Sequence, residues 1–389
     1  MKRDAVIVSA VRTAIGRQGG ALATVAPHVF GAEVIKEAVK RANIEANIID
    51  DVILGNVMSG GGNIARLTAL QTGLSLHLPG LTVDRQCGSG INAINIAAQA
   101  IRSGEGDVYV AGGIESMSRA PYLMERLERA YSSVPPKFRK SPLSPVEIGD
   151  PPMGITAENL AEKYNISREE QDEYALRSQQ RMAIATEEGR FDEQIVPIFI
   201  PQRNAEPLMF NKDEHPRPDT TLEGLAKLPP VFKNDGTVTA GSSSGVNDAA
   251  SALVIMSREK AEELGITPLA TIRHSAVVGV DPNVMGIGPV LATQKVLEKS
   301  ALILEDMDII ELNEAFASQV LACDRELNFN QEKLNVSGGA IAHGHPLGAT
   351  GAILVTKALY ELKRTEQKYA LITACIGGGQ GIATIIERE

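Results

Sequence analysis

Cys87 follows a short apolar run, Leu81-Thr82-Val83, and precedes Gly88-Ser89-Gly90 and a helical pattern of small residues. A sulfur at a helix N-terminus faces unpaired N–H groups and the positive end of the helix dipole. Both favour thiolate over thiol, so the expectation is a nucleophile, with small neighbours leaving room for an acyl group. The bland alternative is a buried cysteine filling space. A second candidate is the turn Gly338-Gly-Ala-Ile-Ala-His-Gly-His-Pro-Leu-Gly348. The chain has only six histidines, yet His343 and His345 both fall here, ahead of a helix expected near Thr350. Cys375-Ile-Gly-Gly-Gly379 is a third strand end, whose bare N–H groups can face a developing oxyanion. Asn313-Glu-Ala-Phe316 ends another strand, and the Asn313 amide could hold a water, although polar strand ends are common. Cys323 lies in a helical pattern and reads as core. A metal bound by His343, His345 and a cysteine lacks a third ligand at the usual spacing.

The elements that must position these residues alternate. Ala5–Val8, Asp51–Asn56, Leu81–Val83 and Asp107–Ala111 read as strands. His28–Lys40 and roughly 91–102 read as helices, so the fold class is α/β. The order recurs after about residue 270: strand 271–280, helix Val290–Lys299, strand Asp308–Asn313, the Gly-rich turn and its helix Ala352–Leu362, and strand Ala370–Ala374. Each match falls roughly 255–265 residues after its counterpart, with Asp51–Asn56 aligned on Asp308–Asn313. That is a long-period duplication. Two such units packed sheet on sheet, or around shared helices, would bring the Cys87 and His345 turns together as a Cys/His pair.

The middle of the chain differs. Seven prolines between Pro121 and Pro152 make its first part irregular, and Ser167 with Glu170 forms a capping box that opens a helix. The basic stretch Arg126, Arg129, Lys137, Arg139 and Lys140 reads as a solvated face or as a docking surface for a phosphorylated ligand. Composition closes other doors. The formal net charge of −10 argues against a general nucleic-acid surface. Three cysteines cannot build a disulfide framework, which fits a reducing, cytoplasmic setting. The opening Met1-Lys2-Arg3 followed by an apolar run broken at Arg12 reads as a first strand rather than a secretion signal. No apolar stretch is long enough to span a membrane.

Seven motifs together resemble the thiolase family. They are the Cys87-Gly-Ser-Gly turn, Asn313-Glu-Ala-Phe-Ala, Gly338 to Gly351, Cys375-Ile-Gly-Gly-Gly, Val8-Ser-Ala-Val-Arg-Thr, Ala111-Gly-Gly-Ile-Glu-Ser-Met-Ser and Gly236-Thr-Val-Thr-Ala-Gly. The match spans essentially the whole chain and resembles most closely the acetyl-CoA acetyltransferases and 3-ketoacyl-CoA thiolases. The resemblance implies a thiolase-like fold: duplicated α/β halves in a five-layer α-β-α-β-α arrangement with an inserted loop domain. The expected boundaries are 1–118 plus 248–270 for the N-terminal half, 119–247 for the CoA-binding insertion and 271–389 for the C-terminal half.

The resemblance also implies roles. Cys87 is the acylated nucleophile, His345 takes its proton, and Cys375 moves the α-proton of the second acyl-CoA. Asn313 holds a water that stabilises the enolate with His345, and the N–H groups of Cys87 and Gly377 form the other oxyanion hole. Ser244 contacts the pantetheine arm, Arg217 lies near the nucleotide end, and Met153, Met285 and Phe316 line the pocket. Acyl-CoA and free CoA are the implied partners, with no further cofactor, and homodimers or homotetramers are usual. His343 stands where an aliphatic residue is common and is expected to face solvent. Pro152 stands where biosynthetic members often have His, and Asp84 and Ser337 where Asn is frequent.

The leading expectation is therefore condensation of two acetyl-CoA molecules through an acyl-cysteine, or its reverse. A longer-chain 3-ketoacyl-CoA thiolase is the runner-up. A non-catalytic acyl-CoA or lipid carrier should have lost one of Cys87, Asn313, His345 or Cys375, and all four are present. Condensing enzymes with Cys-His-His or Cys-His-Asn sets lack the second cysteine, so Cys375 argues against them.

Overall fold

The computed structural model describes residues 3–389 apart from 128, 130, 132 and 134, so Met1 and Lys2 of the basic opening lie outside it. Nine strands carry the fold: β1 (Ala5–Thr13), β2 (Asp51–Gly55), β3 (Leu81–Val83), β4 (Val108–Ser116), β5 (Asn247–Ser257), β6 (Ala270–Gly279), β7 (Ile309–Leu312), β8 (Tyr369–Ile376) and β9 (Gln380–Arg388). The first five run in the order β3-β2-β4-β5-β1, and the last four in the order β6-β9-β8-β7. The two sets meet where β1 pairs with β6, at Val6–Thr271 and Ile7–Ala270. A bridge from Ile310 to Leu334 stands where β3 stands in the first half, so the two half-sheets repeat one strand order.

Helices fill three layers around these half-sheets. Alternation along β1 shows why: Val6, Val8 and Val11 pack outward with α1 (Pro27–Ala42) and α2 (Ile64–Gln71). Ala5, Ile7 and Ala10 pack inward against α3 (Ser89–Ser103). A strand buried on both faces reads as a continuous apolar run, which is the pattern in the sequence. Beside α3, in the one layer between the two half-sheets, lies the long C-terminal helix, and further out lie Gly288–Ser300 and Ala317–Leu327 on the last sheet face. The layers are therefore α-β-α-β-α. Arg12 does not break β1; its guanidinium sits 2.8 Å and 3.0 Å from the Asp213 carboxylate inside the protein.

The duplication is visible in single hydrogen bonds. Asp50 Oδ2 accepts from the N–H groups of Asp107 and Val108, and Asp308 Oδ2 accepts from those of Lys368 and Tyr369. Asp50, rather than Asp51, is thus the partner of Asp308, one residue from the alignment that the strand sequences suggest. The Asp51 carboxylate bends back to its own neighbour, Val52 N–H.

Between β4 and β5 the chain leaves the layers. Described residues from 120 to 152 hold no helix or strand, after which come α4 (Met153–Lys163) and α5 (Arg168–Glu187). The reciprocal Ser167–Glu170 box opens α5 as its sequence requires. The five basic residues from Arg126 to Lys140 are exposed. Among the described residues no helix is long and apolar enough to cross a membrane.

Candidate active site

Two glycines let the central helices touch. The C-terminal one, α6 (Leu347–Thr365), starts one turn before the position its small-residue pattern suggests. A Cβ on Gly90 would stand 2.7 Å from Ala352 N, and one on Gly351 would overlap the backbone N of Ile91. Only glycine permits that crossing, and it brings the turn before α3 to the turn before α6.

The first turn is strained. Gln86 takes a left-handed φ of 44°, held by a bond from its N–H to Asp84 Oδ1 at 2.8 Å. Cys87 follows. The backbone N–H groups of Cys87 itself and of Gly377, in the Gly377–Gly379 turn joining β8 to β9, lie beside its Sγ and favour the thiolate. Gly378 and Gly379 both take left-handed φ, at 84° and 83°. Those two N–H groups are the pair assigned to an oxyanion hole, and they converge on one point.

The expected lowering of the Cys87 pKa does not hold. Burial pushes the thiol up to about 11, against the pull of the two N–H donors. The side chain keeps some exposure, but protein packed around the sulfur desolvates a thiolate more than two donors stabilise it. Cys375 is fully buried and raised well above the usual thiol range, first by desolvation and then by the charge of Cys87. The two sulfurs therefore sense one another and rest as thiols. Cys323 donates its S–H to Gly286 O and is core, as its helical setting suggests.

His345 is also buried, and desolvation lowers its pKa to about 4. Its tautomer follows from its neighbours. Thr350 Oγ donates to Pro346 O at 2.9 Å, so it must accept from His345 Nδ1–H at 2.7 Å. That leaves Nε2 unprotonated, with Asn313 Nδ2 3.4 Å away. Asn313 is held by its N–H to Thr373 O on β8, two residues before Cys375. Its buried Oδ1 has no hydrogen-bond partner among the described residues. A basic nitrogen, a free amide oxygen and two thiols thus stand at the ends of β7, β8 and the two central helices. That set can exchange protons with a sulfur nucleophile and with a carbon acid.

Two buried carboxylates hold this arrangement. Glu115 accepts from Ser59 Oγ (2.7 Å), Val57 N, Met58 N and, across the crossing, Gly348 N (2.9 Å). Glu314 accepts from Tyr174 (2.8 Å), Ser178 (2.7 Å), Asn335 (3.0 Å) and Ile341 N (3.1 Å). Asn247 Oδ1 fixes the His345 N–H at 2.9 Å. Sequence reasoning passed over Thr350, Asn247 and both glutamates, although Glu115 and Glu314 sit inside quoted motifs. A buried carboxylate beside a glycine-rich turn was the available signal.

The pocket residues also assemble. Met285, Phe316 and Cys375 share one apolar cluster with Ala157, Ala315 and Val238, and half-buried Met153 packs against it. Phe232 meets Phe316 edge-on at 5.9 Å, and Leu143 lies against Gly377. Ser244 donates its N–H to Ala315 O, tying its loop to the Asn313–Phe316 turn. Ser244 and exposed Arg217 line one cleft of about 630 Å³ with His215 and Gln179. That cleft adjoins the catalytic turns without including either sulfur. His343 does not face solvent. It is 1% exposed, donating Nδ1–H to Gly344 O, because α5 packs over the Gly338–His343 loop.

Thiolase N-terminal and C-terminal domain models match residues 5–259 and 266–388. The chain belongs to the thiolase family. It is 48% identical to an acetyl-CoA acetyltransferase of Pseudomonas aeruginosa, with both chains fully covered. It is 47% identical to the beta-ketothiolase BktB of Cupriavidus necator, again over the whole of both. Among solved structures, the Bacillus anthracis acetyl-CoA acetyltransferase superposes with a TM-score of 0.95 at 45% identity, covering 100% of this chain and 99% of that one. Human mitochondrial 3-ketoacyl-CoA thiolase in complex with CoA gives 0.92 at 43%, covering 100% and 98%. As a thiolase the chain is an acyltransferase, and its five layers are the family's own.

Proposed function

We propose that this thiolase is an acetyl-CoA C-acetyltransferase, joining two acetyl-CoA molecules to acetoacetyl-CoA and CoA, reversibly, through an acyl-cysteine. The observation that carries the reading is the convergence of the Cys87 and Gly377 N–H groups on the Cys87 sulfur, with a second buried thiol within electrostatic reach.

The protons balance as follows. Cys87 attacks the first thioester as His345 Nε2 takes its proton, and the two N–H groups receive the oxyanion. Cys375, resting as a thiol, gives its proton to the departing CoA sulfur and is left as thiolate. That thiolate removes the α-proton of the second acetyl-CoA, while a water on Asn313 and the protonated His345 stabilise the enolate oxygen. The enolate carbon bonds to the acyl carbon, the Cys87–acyl bond breaks, and His345 returns its proton to Cys87. A thioester α-proton is weakly acidic, so a thiolate base suffices only with that second set of donors in place.

Ser244 supports the pantetheine arm and Arg217 the nucleotide end, with residues 119–247 as the CoA-binding insertion between halves 1–118 plus 248–270 and 271–389. Met153, Met285 and Phe316 bound the acyl pocket beside Cys375. CoA thioesters are substrates, and the proposed chemistry draws on no resident metal or cofactor. A cytoplasmic homodimer or homotetramer acting in fatty-acid metabolism fits the rest of the reading.

The second reading, a degradative 3-ketoacyl-CoA thiolase, is favoured by the likeness to the human mitochondrial enzyme. Thiolysis of a 3-ketoacyl-CoA series from C4 to C16 separates them. A sharp preference for C4 supports acetoacetyl chemistry, and a flat profile supports the degradative enzyme.

A further inference from the structure

The two N–H groups beside the Cys87 sulfur come from different halves of the molecule, so their spacing has to be fixed across the boundary. Cys87 precedes α3, and Gly377 begins the turn between β8 and β9. Packing does part of this: a Cβ on Gly88 would stand 2.6 Å from Ile376 Cδ1 and 3.1 Å from Ile382 Cγ2. Apolar packing sets how closely two elements approach, but it is not directional. A directional tie lies beside it. Half-buried Arg85, just ahead of the Gln86–Cys87 pair, donates Nε–H to Asn92 Oδ1 at 3.1 Å and Nη1–H to Gln380 Oε1 at 3.0 Å.

Both ends of the tie are anchored. Asn92 is buried in α3. Gln380 is the first residue of β9, paired with Ile376 on β8 and with Gly279 on β6, and a Cβ on Gly288 would overlap its carbonyl oxygen. It therefore closes the Gly377–Gly379 turn. The Arg85 main chain is held as well, its N–H donating to Ser89 Oγ at 2.8 Å and its carbonyl accepting from Gly88 N–H at 2.9 Å. Between Arg85 and Cys87 sits Gln86 with its left-handed φ of 44°. A residue in that region persists only while its surroundings hold it there. A planar guanidinium presents its N–H groups in a rigid fork, so one side chain holds two amide oxygens in a set geometry, which a flexible ammonium does not.

We propose that Arg85 is a positioning residue for acyl transfer at Cys87: by joining Asn92 of the first half to Gln380 of the second, it fixes the spacing of the Cys87 and Gly377 N–H groups around the developing oxyanion. The inference rests on the reading of Cys87 as the acylated residue. Arg85 acts through the main chain of two turns, its guanidinium bonding side-chain oxygens of the protein. Oxyanion donors work over a narrow range of position, and a misplacement of about 1 Å costs on the order of 10²-fold in rate. Enolate formation beside Asn313, His345 and Cys375 uses a different set of donors.

The test is single-turnover transfer of labelled acetyl from acetyl-CoA to the protein, in wild type, Arg85→Met, Arg85→Lys, Gln380→Met and the Arg85→Met/Gln380→Met double variant. Arg85→Met and Gln380→Met should each slow acylation ~10–10²-fold, with the double variant no slower than the slower single one. Arg85→Lys should recover part of the rate, and affinity for CoA, read by calorimetry, should be unchanged. The carbonyl stretch of the carbon-13-labelled acyl-enzyme should rise in both single variants, since fewer hydrogen bonds then polarise the C=O; a general loss of folded protein would leave that frequency in place. Thermal melts report folding, and should Arg85→Met fail to fold, Gln380→Met and Arg85→Lys decide. A wild-type acylation rate and carbonyl frequency in the single variants, multiplicative slowing in the double variant, or a loss of CoA affinity that accounts for the slowing each overturn the proposal. Labelling of the wild type at a residue other than Cys87 overturns the underlying reading as well, whereas normal labelling of Cys87 with unchanged rates in the variants overturns this inference alone.

Discussion

The turns before the two central helices occupy matching places in a duplicated unit, yet they carry different chemistry. In the first half the passage from β3 to α3 is short and strained at Gln86, and it delivers a sulfur. In the second half the corresponding passage, from Leu334 to Leu347, is longer and includes a helical turn at Ala340–His343, and it delivers an imidazole. What both retain is the glycine at the crossing, Gly90 and Gly351, whereas the two buried glutamates, Glu115 and Glu314, both bond N–H groups of the second passage and its helix start, at Gly348 and Ile341. The duplication supplied the meeting point, and divergence of loop length and side chain supplied the acid, the base and the nucleophile.

That contrast can be broken at several points. The largest effect is expected for Cys87→Ser: turnover falls by about 10⁴-fold or more, and labelled acetyl no longer transfers to the protein. Labelling that persisted would move the nucleophile to another residue. Cys375→Ser should still accept the acetyl group at Cys87 while exchange of the α-proton falls ~10²–10⁴-fold. Deuterium wash-in reads this, and near-normal exchange would remove Cys375 from the proton pathway.

Gly351→Ala tests the crossing itself. The added carbon meets backbone rather than a movable side chain, so a loss of ~1–3 kcal/mol in unfolding free energy is expected. Gly62→Ala, with open space around it, serves as the control in the same denaturant titration. Thr350→Val removes the partner of His345 Nδ1 while keeping its shape. About a tenfold drop in acylation rate follows from one lost hydrogen bond, with the melting temperature largely kept.

The most gradual effect is on the pH dependence of stability. His345 has a folded-state pKa of about 4, below that of the unfolded chain, so the unfolded state binds the proton first as pH falls. Stability is therefore lost between about pH 6.5 and 4, by at most ~1.4 kcal/mol per pH unit from this residue. His345→Gln should flatten that part of the curve. Cys87 contributes nothing there, since its thiol stays neutral throughout.

Much of this was legible in the residues themselves. Strands buried on both faces announce themselves as unbroken apolar runs, and the Ser167–Glu170 box is local chemistry. The motifs naming Cys87, Asn313, His345, Cys375 and Gly377 also led to side chains and N–H groups that the fold gathers. What escaped depends on chain far away in sequence. Cys87 was read as acidic because its helix was visible, whereas the protein that desolvates its sulfur was not. His343 was read as solvent-facing because nothing near it predicts that α5 packs over its loop. The register of the duplication slipped by one residue because Asp50 and Asp51 are the same letter, and only the hydrogen bonds tell them apart.

One consequence follows from the middle layer. Ile94 and Ala98 of the first half, and Leu354 and Ala358 of the second, belong to a single apolar cluster that also takes in the inner faces of both half-sheets. Neither half has an interior of its own on that side. Severed near residue 265, each fragment would present an oily plane to water and look for a mate, so neither half is expected to stay soluble without the other.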